Sequence, residues 1–295
     1  MRFTRCLLLG SAAVAVGAFA LTGISAASTS ATSGKTIRPA ARHLSASFVA
    51  EARTALTKYL RDNHPQIELV HPGSANLAAS SLLDSFNWSG YADVSSTNGT
   101  FTEVSGKWIT PRVRCTPEDT ISAQWVGLDG ATNATVEQDG TVAWCFEDQP
   151  VYFTWYEMYP AGLIEVGTTL EPGDLIAASV SRTGASYTLA VTDATRRSAS
   201  FSTTATCATT VCVDTSAEWI MERPAYAIGI APLANYSFWA LGDGTQATGG
   251  RPGPISAYPT VDQIDMQDAT GSYNLTTTSG LLGGRAFSTT WNNSY

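Results

Sequence analysis

Between Asn87 and Tyr295 the side chains that could move protons or steady developing charge are carboxylates and amides. Glu157, Glu218, Asp129 and Gln138 stand out because they are interleaved with Trp88, Trp125, Trp155 and Tyr159. No histidine occurs in this stretch: His43, His64 and His71 all precede it, and Lys107 is its only lysine. Imidazole is the usual general base and the commonest metal ligand. A Ser-His-Asp triad, a Cys-His pair and a His-bound zinc are therefore excluded by inventory. No Gly-x-Ser-x-Gly elbow, EF-hand, P-loop or Rossmann fingerprint is present. Carboxylates or amides must do any proton work, with no metal or other cofactor expected.

The elements that must carry these groups are strands. From Asn87 onward short β-like runs are separated by Gly, Asp, Asn, Thr and Pro. The runs are 87–94, 101–109, 123–128, 151–159, 174–181, 186–192, 217–222, 236–241, 272–278 and 286–291. Many short strands with turn signals and no convincing helix predict an all-β sandwich or barrel. Alternation sorts side chains by face. Val151, Phe153, Trp155, Glu157 and Tyr159 share one face of their strand, and Glu218, Ile220 and Glu222 share one face of theirs. An unpaired buried charge is expensive, so Glu157 must border a groove or find a partner.

The N-terminal part reads differently. Arg2 and Arg5, the apolar run Cys6–Leu21 and the small residues Ile24-Ser25-Ala26-Ala27 look like a secretory signal over 1–27. Residues 28–80 read as a pro-segment, with Phe48, Val49, Ala52, Leu56, Tyr59 and Leu60 at helical spacing over 46–62. The domain proper is then 81–295. Residues 1–80 carry eight Lys/Arg against three Asp/Glu, a net +5, and residues 81–295 carry nine against twenty-two, a net −13. A basic leader ahead of an acidic body suggests a segment that covers the domain and lets go in acid. The acidic body argues against a nucleic-acid partner, no later run is long and apolar enough to span a membrane, and a monomer is expected. Once Cys6 leaves with the signal, Cys115, Cys145, Cys207 and Cys212 remain, an even number that suggests two disulfides in an extracellular chain. Three pairings are open, of which Cys115–Cys145 with Cys207–Cys212 is preferred.

Five segments occur in a telling order: Asn87-Trp88-Ser89-Gly90-Tyr91, Trp125-Val126-Gly127-Leu128-Asp129-Gly130, Glu137-Gln138-Asp139-Gly140, Trp155-Tyr156-Glu157-Met158-Tyr159-Pro160 and Ala217-Glu218-Trp219-Ile220-Met221-Glu222. In that order and at those separations the chain resembles the glutamic peptidases, or eqolisins, which are secreted acid endopeptidases. The resemblance implies an antiparallel β-sandwich of two curved sheets, similar to the concanavalin-type jelly roll, with a polypeptide substrate on its concave face. It implies that Glu218 and Gln138 form the catalytic dyad and that Trp88, Trp125, Trp155, Glu157 and Tyr159 line the cleft. One departure is Glu137, where that family usually carries an apolar residue. Glu137 and Asp139 flank Gln138, and their charge could raise the pKa of Glu218 if the three lie close.

Plainer roles stay open at each position. Gln138 could sit in a hairpin turn, Glu218 on an exposed edge strand, and the tryptophans in an ordinary core. Glu157 could pair with an arginine, and Asp129 suits a turn organiser better than a catalyst. Asp214-Thr215-Ser216 is faintly like the Asp-Thr-Gly loop of aspartic peptidases, but no second copy exists to share a proton with it. The competing reading is a carbohydrate-active or lectin-like sandwich, in which Glu218 and Glu157 would flank a glycosidic bond. Gln138 discriminates, since only the peptidase needs it.

Overall fold

The computed structural model describes residues 69–70, 82–166, 170–207, 212–226 and 229–295. The expected signal peptide and the helix at 46–62 lie outside the described residues. In chain order the strands begin with β1 (Leu69–Val70), β2 (Leu82–Ser85), β3 (Trp88–Val94), β4 (Phe101–Ile109), β5 (Thr120–Leu128), β6 (Val136–Phe146) and β7 (Gln149–Tyr159). Next come β8 (Ile164–Glu165), β9 (Leu175–Thr183), β10 (Ser186–Asp193), β11 (Phe201–Thr206), β12 (Ser216–Glu222), β13 (Ala225–Tyr226) and β14 (Gly229–Ile230). The last are β15 (Phe238–Thr248), β16 (Arg251–Pro254), β17 (Val261–Met266), β18 (Thr276–Thr278) and β19 (Phe287–Trp291).

They build the all-β sandwich that alternation predicts. One sheet has nine strands in the order β1-β2-β17-β3-β12-β5-β6-β7-β8. The other has eight, in the order β11-β10-β9-β4-β15-β19-β18 with β16 beside β15. Pairing is antiparallel except between β17 and β2. Strands such as β10 bury every second residue, here Tyr187, Leu189 and Val191, because one face meets the core and the other faces out. The inter-sheet core joins Tyr91, Val126, Leu128, Trp219 and Met221 of the first sheet to Val104, Trp108, Ile176, Leu189 and Trp239 of the second. A second apolar cluster lies on the opposite face of the nine-stranded sheet and includes Trp88, Trp125, Val142, Phe153, Trp155 and Ile220. The middle of that sheet is thus covered on both sides, and β5 and β12 are buried at every position.

The main difference from the sequence-based strand assignment is β6. Glu137-Gln138-Asp139-Gly140 looks like turn chemistry but lies inside an 11-residue strand. Gly140 is needed there because a Cβ would collide with the Gln124 carbonyl oxygen and sit 2.8 Å from the Trp125 Cα. The strand at 236–241 runs on to Thr248, and the one at 272–278 shrinks to Thr276–Thr278. Both preferred disulfides, Cys115–Cys145 and Cys207–Cys212, are present. Leu69–Val70, inside the segment read as a pro-segment, pairs with β2 at the edge of the nine-stranded sheet.

Candidate active site

The register of five strands brings the chemistry together. Glu218 on β12 stands opposite Ala92 on β3 and Gly127 on β5. Gly127 stands opposite Gln138 on β6, and Gln138 opposite Glu157 on β7. Directly opposed residues in antiparallel strands project to the same face, so Glu218, Gln138 and Glu157 form one row. The neighbouring row on the same face holds Ile220, Trp125, Gly140 and Trp155. Trp88 lies opposite Glu222, and Tyr159 opposite Val136. All seven side chains expected at the site therefore share one face of one sheet, the face opposite the inter-sheet core.

Gly127 separates Glu218 from Gln138, and this spacing matters. Their backbones are two strand spacings of about 4.8 Å apart, so the side chains can lean toward a common point above a residue that has none. A Cβ at position 127 would sit 2.9 Å from Trp125 Cζ3 and 3.2 Å from Gln138 Cβ. Gly127→Ala should consequently fold with the inter-sheet core intact yet lose about 10²-fold in turnover, since misplacing reacting groups by an ångström costs that much. Near wild-type turnover by this variant, assayed on a peptide, would show that the gap is not used.

Gln138 Nε2 donates to Glu157 Oε2 at 2.6 Å. The partner that Glu157 requires is thus this amide and not an arginine. Since an amide nitrogen carries two hydrogens, one remains for another acceptor. Trp125 Nε1 donates to Glu222 Oε2 at 2.7 Å, Asn87 Nδ2 donates to Glu222 Oε1 at 3.4 Å, and Trp88 packs edge-on against Trp125 with centroids 4.9 Å apart. Glu222 and Asn87 thereby fix the two indoles. The sequence put Glu222 on the face of Glu218 but gave it no role. The signal that could have found it is its spacing of two turns of the pleat from Glu218.

Burial dominates the electrostatics. Glu218 is fully buried, and its pKa is raised well above the ordinary carboxylate range by desolvation. Ser216 and the Ala131 N–H pull it down, and Asp129 and Asp93 push it up. The two donors lie close enough to favour the charged form, but neither Glu218 oxygen completes a hydrogen bond of ordinary geometry among the described residues. Desolvation, with help from Glu222, lifts Glu157 to about 8, and desolvation lifts Glu222 to about 7. Glu137 and Asp139 point to the other face of β6, into the sandwich. Burial raises Glu137 to about 10 and Asp139 well above its usual range, so both stay neutral in acid. Glu218 is among the charges that push Glu137 up, so these two carboxyls interact.

Asp129 is the turn organiser it was expected to be. Its Oδ2 accepts from the N–H groups of Val213 and Asp214, and its Oδ1 from the Thr215 N–H, each at 2.8 Å. Its φ of 65° is the left-handed conformation that Asp tolerates in turns. Asp214 is held by the Tyr187 hydroxyl at 2.7 Å and Arg182 Nε at 3.0 Å. One oxygen each of Asp129, Glu137 and Asp214 lies within 4.8 Å of the others. Those of Asp129 and Asp214 already accept hydrogen bonds. Lys107, on β4 of the eight-stranded sheet, is exposed and paired with Asp243 at 2.9 Å. The carboxyls of Glu218 and Glu157 are three strands apart with Gly127 and Gln138 between, an arrangement with no obvious fit to a glycosidase pair.

Comparison with known proteins agrees with this architecture. The Peptidase A4 family matches residues 86–291. Aspergillopepsin-2 of Aspergillus niger is 33% identical over 109 residues, 36% of this chain and 38% of that protein, so the match spans well under half of this curated relative. Scytalido-glutamic peptidase, solved with a transition state analog inhibitor, superposes with a TM-score of 0.59 at 22% identity, over 70% of this chain and 98% of that one. SCP-B, an eqolisin solved with the tripeptide Ala-Ile-His, gives 0.57 at 21% over the same shares. Aspergilloglutamic peptidase from Aspergillus niger gives 0.52 at 27%, over 59% of this chain and 99% of that one.

Proposed function

We propose that this chain, which belongs to the Peptidase A4 family, is a secreted acid endopeptidase whose Glu218 and Gln138 hydrolyse peptide bonds with one water. The observation that carries the reading is the shared row, in which Glu218 and Gln138 face the same side across the bare Gly127.

As a carboxylate, Glu218 takes a proton from a water while the water oxygen bonds to the scissile carbonyl carbon. The carbonyl π electrons move onto its oxygen. The second N–H of Gln138 donates to that oxyanion, a contribution of roughly 2.7–4 kcal/mol for donors of this kind. Glu157 holds the amide by its first N–H. Glu218, now an acid, delivers its proton to the amide nitrogen, the C–N bond breaks, and a carboxylic acid and an amine leave. An amide does not titrate, so Gln138 serves unchanged at any acidity. Desolvation favours the neutral form of Glu218. Ser216 and the Ala131 N–H favour the carboxylate that the reaction requires.

The test is digestion of a denatured protein at about pH 3–4, where carboxylates titrate. Cleavage is expected, undiminished by metal chelators and serine-directed reagents. Loss of activity on chelation, or none in acid, overturns the reading.

Residues 1–27 are read as the secretory signal and 28–80 as a pro-segment of a zymogen. The pairing of Leu69–Val70 with β2 supports an attachment of that segment to the domain edge. Acidification should shorten the secreted chain toward residue 81, followed by intact mass, with activity rising in step. A full-length chain as active as the trimmed one would remove the inhibitory role.

A further inference from the structure

A cavity of about 610 Å³ opens where the 95–98 turn, the 132–133 loop, the 213–215 segment and Tyr258 meet. Its position ties it to Glu218. Ser216 and the Ala131 N–H lie near enough to the Glu218 carboxyl to lower its pKa, and their chain neighbours Thr215 and Thr132 line the cavity. Val94, also in the lining, stands opposite Ser216. Ser216 and Glu218 are two residues apart on one strand face, about 6.6 Å at the usual rise. The cavity therefore begins within two residues' reach of the proposed scissile bond.

Its chemistry is uniform. Hydroxyls and amides dominate the wall, from Ser95, Ser96, Thr97, Asn98, Thr132 and Asn133, and no Asp, Glu, His, Lys or Arg lines it. The frame is held in place. Ser95 N–H donates to the Thr215 carbonyl at 2.7 Å, and Gly99 N–H to that of Val213 at 2.7 Å. Thr132 and Thr215 join hydroxyls at 2.9 Å, and Asn133 Nδ2 donates to Asp129 Oδ1 at 2.7 Å. Ser96, Thr97 and Asn98 are exposed. A site already built for hydrogen bonding loses little entropy on binding and penalises a guest that leaves its polar groups unpaired.

We propose that this cavity is a substrate subsite that selects an uncharged hydrogen-bonding side chain, of the Asn, Gln, Ser or Thr class, within two residues of the cleaved bond. The proposal rests on the peptidase reading above. A cationic side chain has no counter-charge there and is disfavoured.

The test is cleavage-site profiling by mass spectrometry on a diverse peptide mixture in acid, with wild type, the exposed double variant Ser96→Ala/Asn98→Ala, and Thr132→Val. Wild type should enrich the uncharged polar class over Lys and Arg at one position within two residues of the cut. The variants should lower kcat/KM about tenfold for peptides carrying that class, the order expected for an unpaired polar contact. Their kcat/KM for peptides with an apolar residue there should be unchanged. Cleavage with no such preference in wild type, or a profile untouched in both variants, overturns the subsite alone. No cleavage of any peptide by wild type overturns the peptidase reading, and the subsite with it.

Discussion

Glu218→Gln is expected to lower kcat by about 10³-fold or more, since it removes both the base and the acid of the reaction. Gln138→Ala is expected to cost about 10²–10³-fold, the usual loss for an oxyanion donor. The Glu218 variant carries a second signature that a merely inactivating change would not produce. Burial disfavours the charged form of Glu218, and glutamine has the shape of the neutral acid without its ability to ionise. The melting temperature of Glu218→Gln should match wild type near pH 3 and exceed it near pH 6. Circular dichroism melts and a peptide assay read the two effects separately. Full activity in the variant, or lower stability at both acidities, would contradict the role given to this carboxyl.

Stability should be greatest in acid and should fall as pH rises from about 4, to the point of unfolding near neutrality. Burial lifts Asp93 to about 9, Glu137 to about 10, Glu157 to about 8 and Glu222 to about 7, and it raises Asp139 and Glu218 as well. Each is a carboxyl whose folded pKa exceeds its unfolded one. The stability it contributes is complete below the unfolded value, near 4 (roughly), and is lost as pH climbs through the folded value. A group that keeps its proton in the fold and loses it in the unfolded chain weakens stability by about 1.4 kcal/mol per pH unit. Several such groups together would exhaust the about 5–15 kcal/mol of an ordinary domain within a few units. Asp243 and Asp268, held low by Lys107 and Thr270, act in the opposite sense. Thermal melts from about pH 3 to 8 test this, and Glu137→Gln should flatten the decline because it stays neutral throughout. A melting temperature that is level or rising over that range would contradict it.

How much of this was legible depended on which physical rule governed each strand. β10 was read almost to the residue because one face meets apolar neighbours and the other faces out, which is the case alternation describes. β6 was missed because two of its inward positions are Glu137 and Asp139. They tolerate burial by holding protons, and a pattern built on apolar residues cannot register that. Parity alone correctly put Glu218 with Ile220 and Glu222, and Glu157 with Trp155 and Tyr159. The alignment of Glu218 with Gln138 across Gly127 was not readable from spacing, because register between strands so distant in sequence is set by the whole sheet. It was anticipated through the resemblance of the ordered segments. The link from Asp129 to Val213, Asp214 and Thr215 is likewise a long-range contact of a residue that locally looks like any Asp-Gly turn.

The most direct test of the dyad is the double variant Glu218→Gln/Gln138→Ala, assayed beside the two single variants on one peptide in acid. Two groups that act on one tetrahedral centre are not additive. The double variant should therefore turn over no more slowly than the worse of the singles, with only the residual rate that binding supplies. Losses that multiply in full would mean that the carboxyl and the amide act on separate steps, and a double variant as active as wild type would mean that the hydrolysis occurs elsewhere on the molecule.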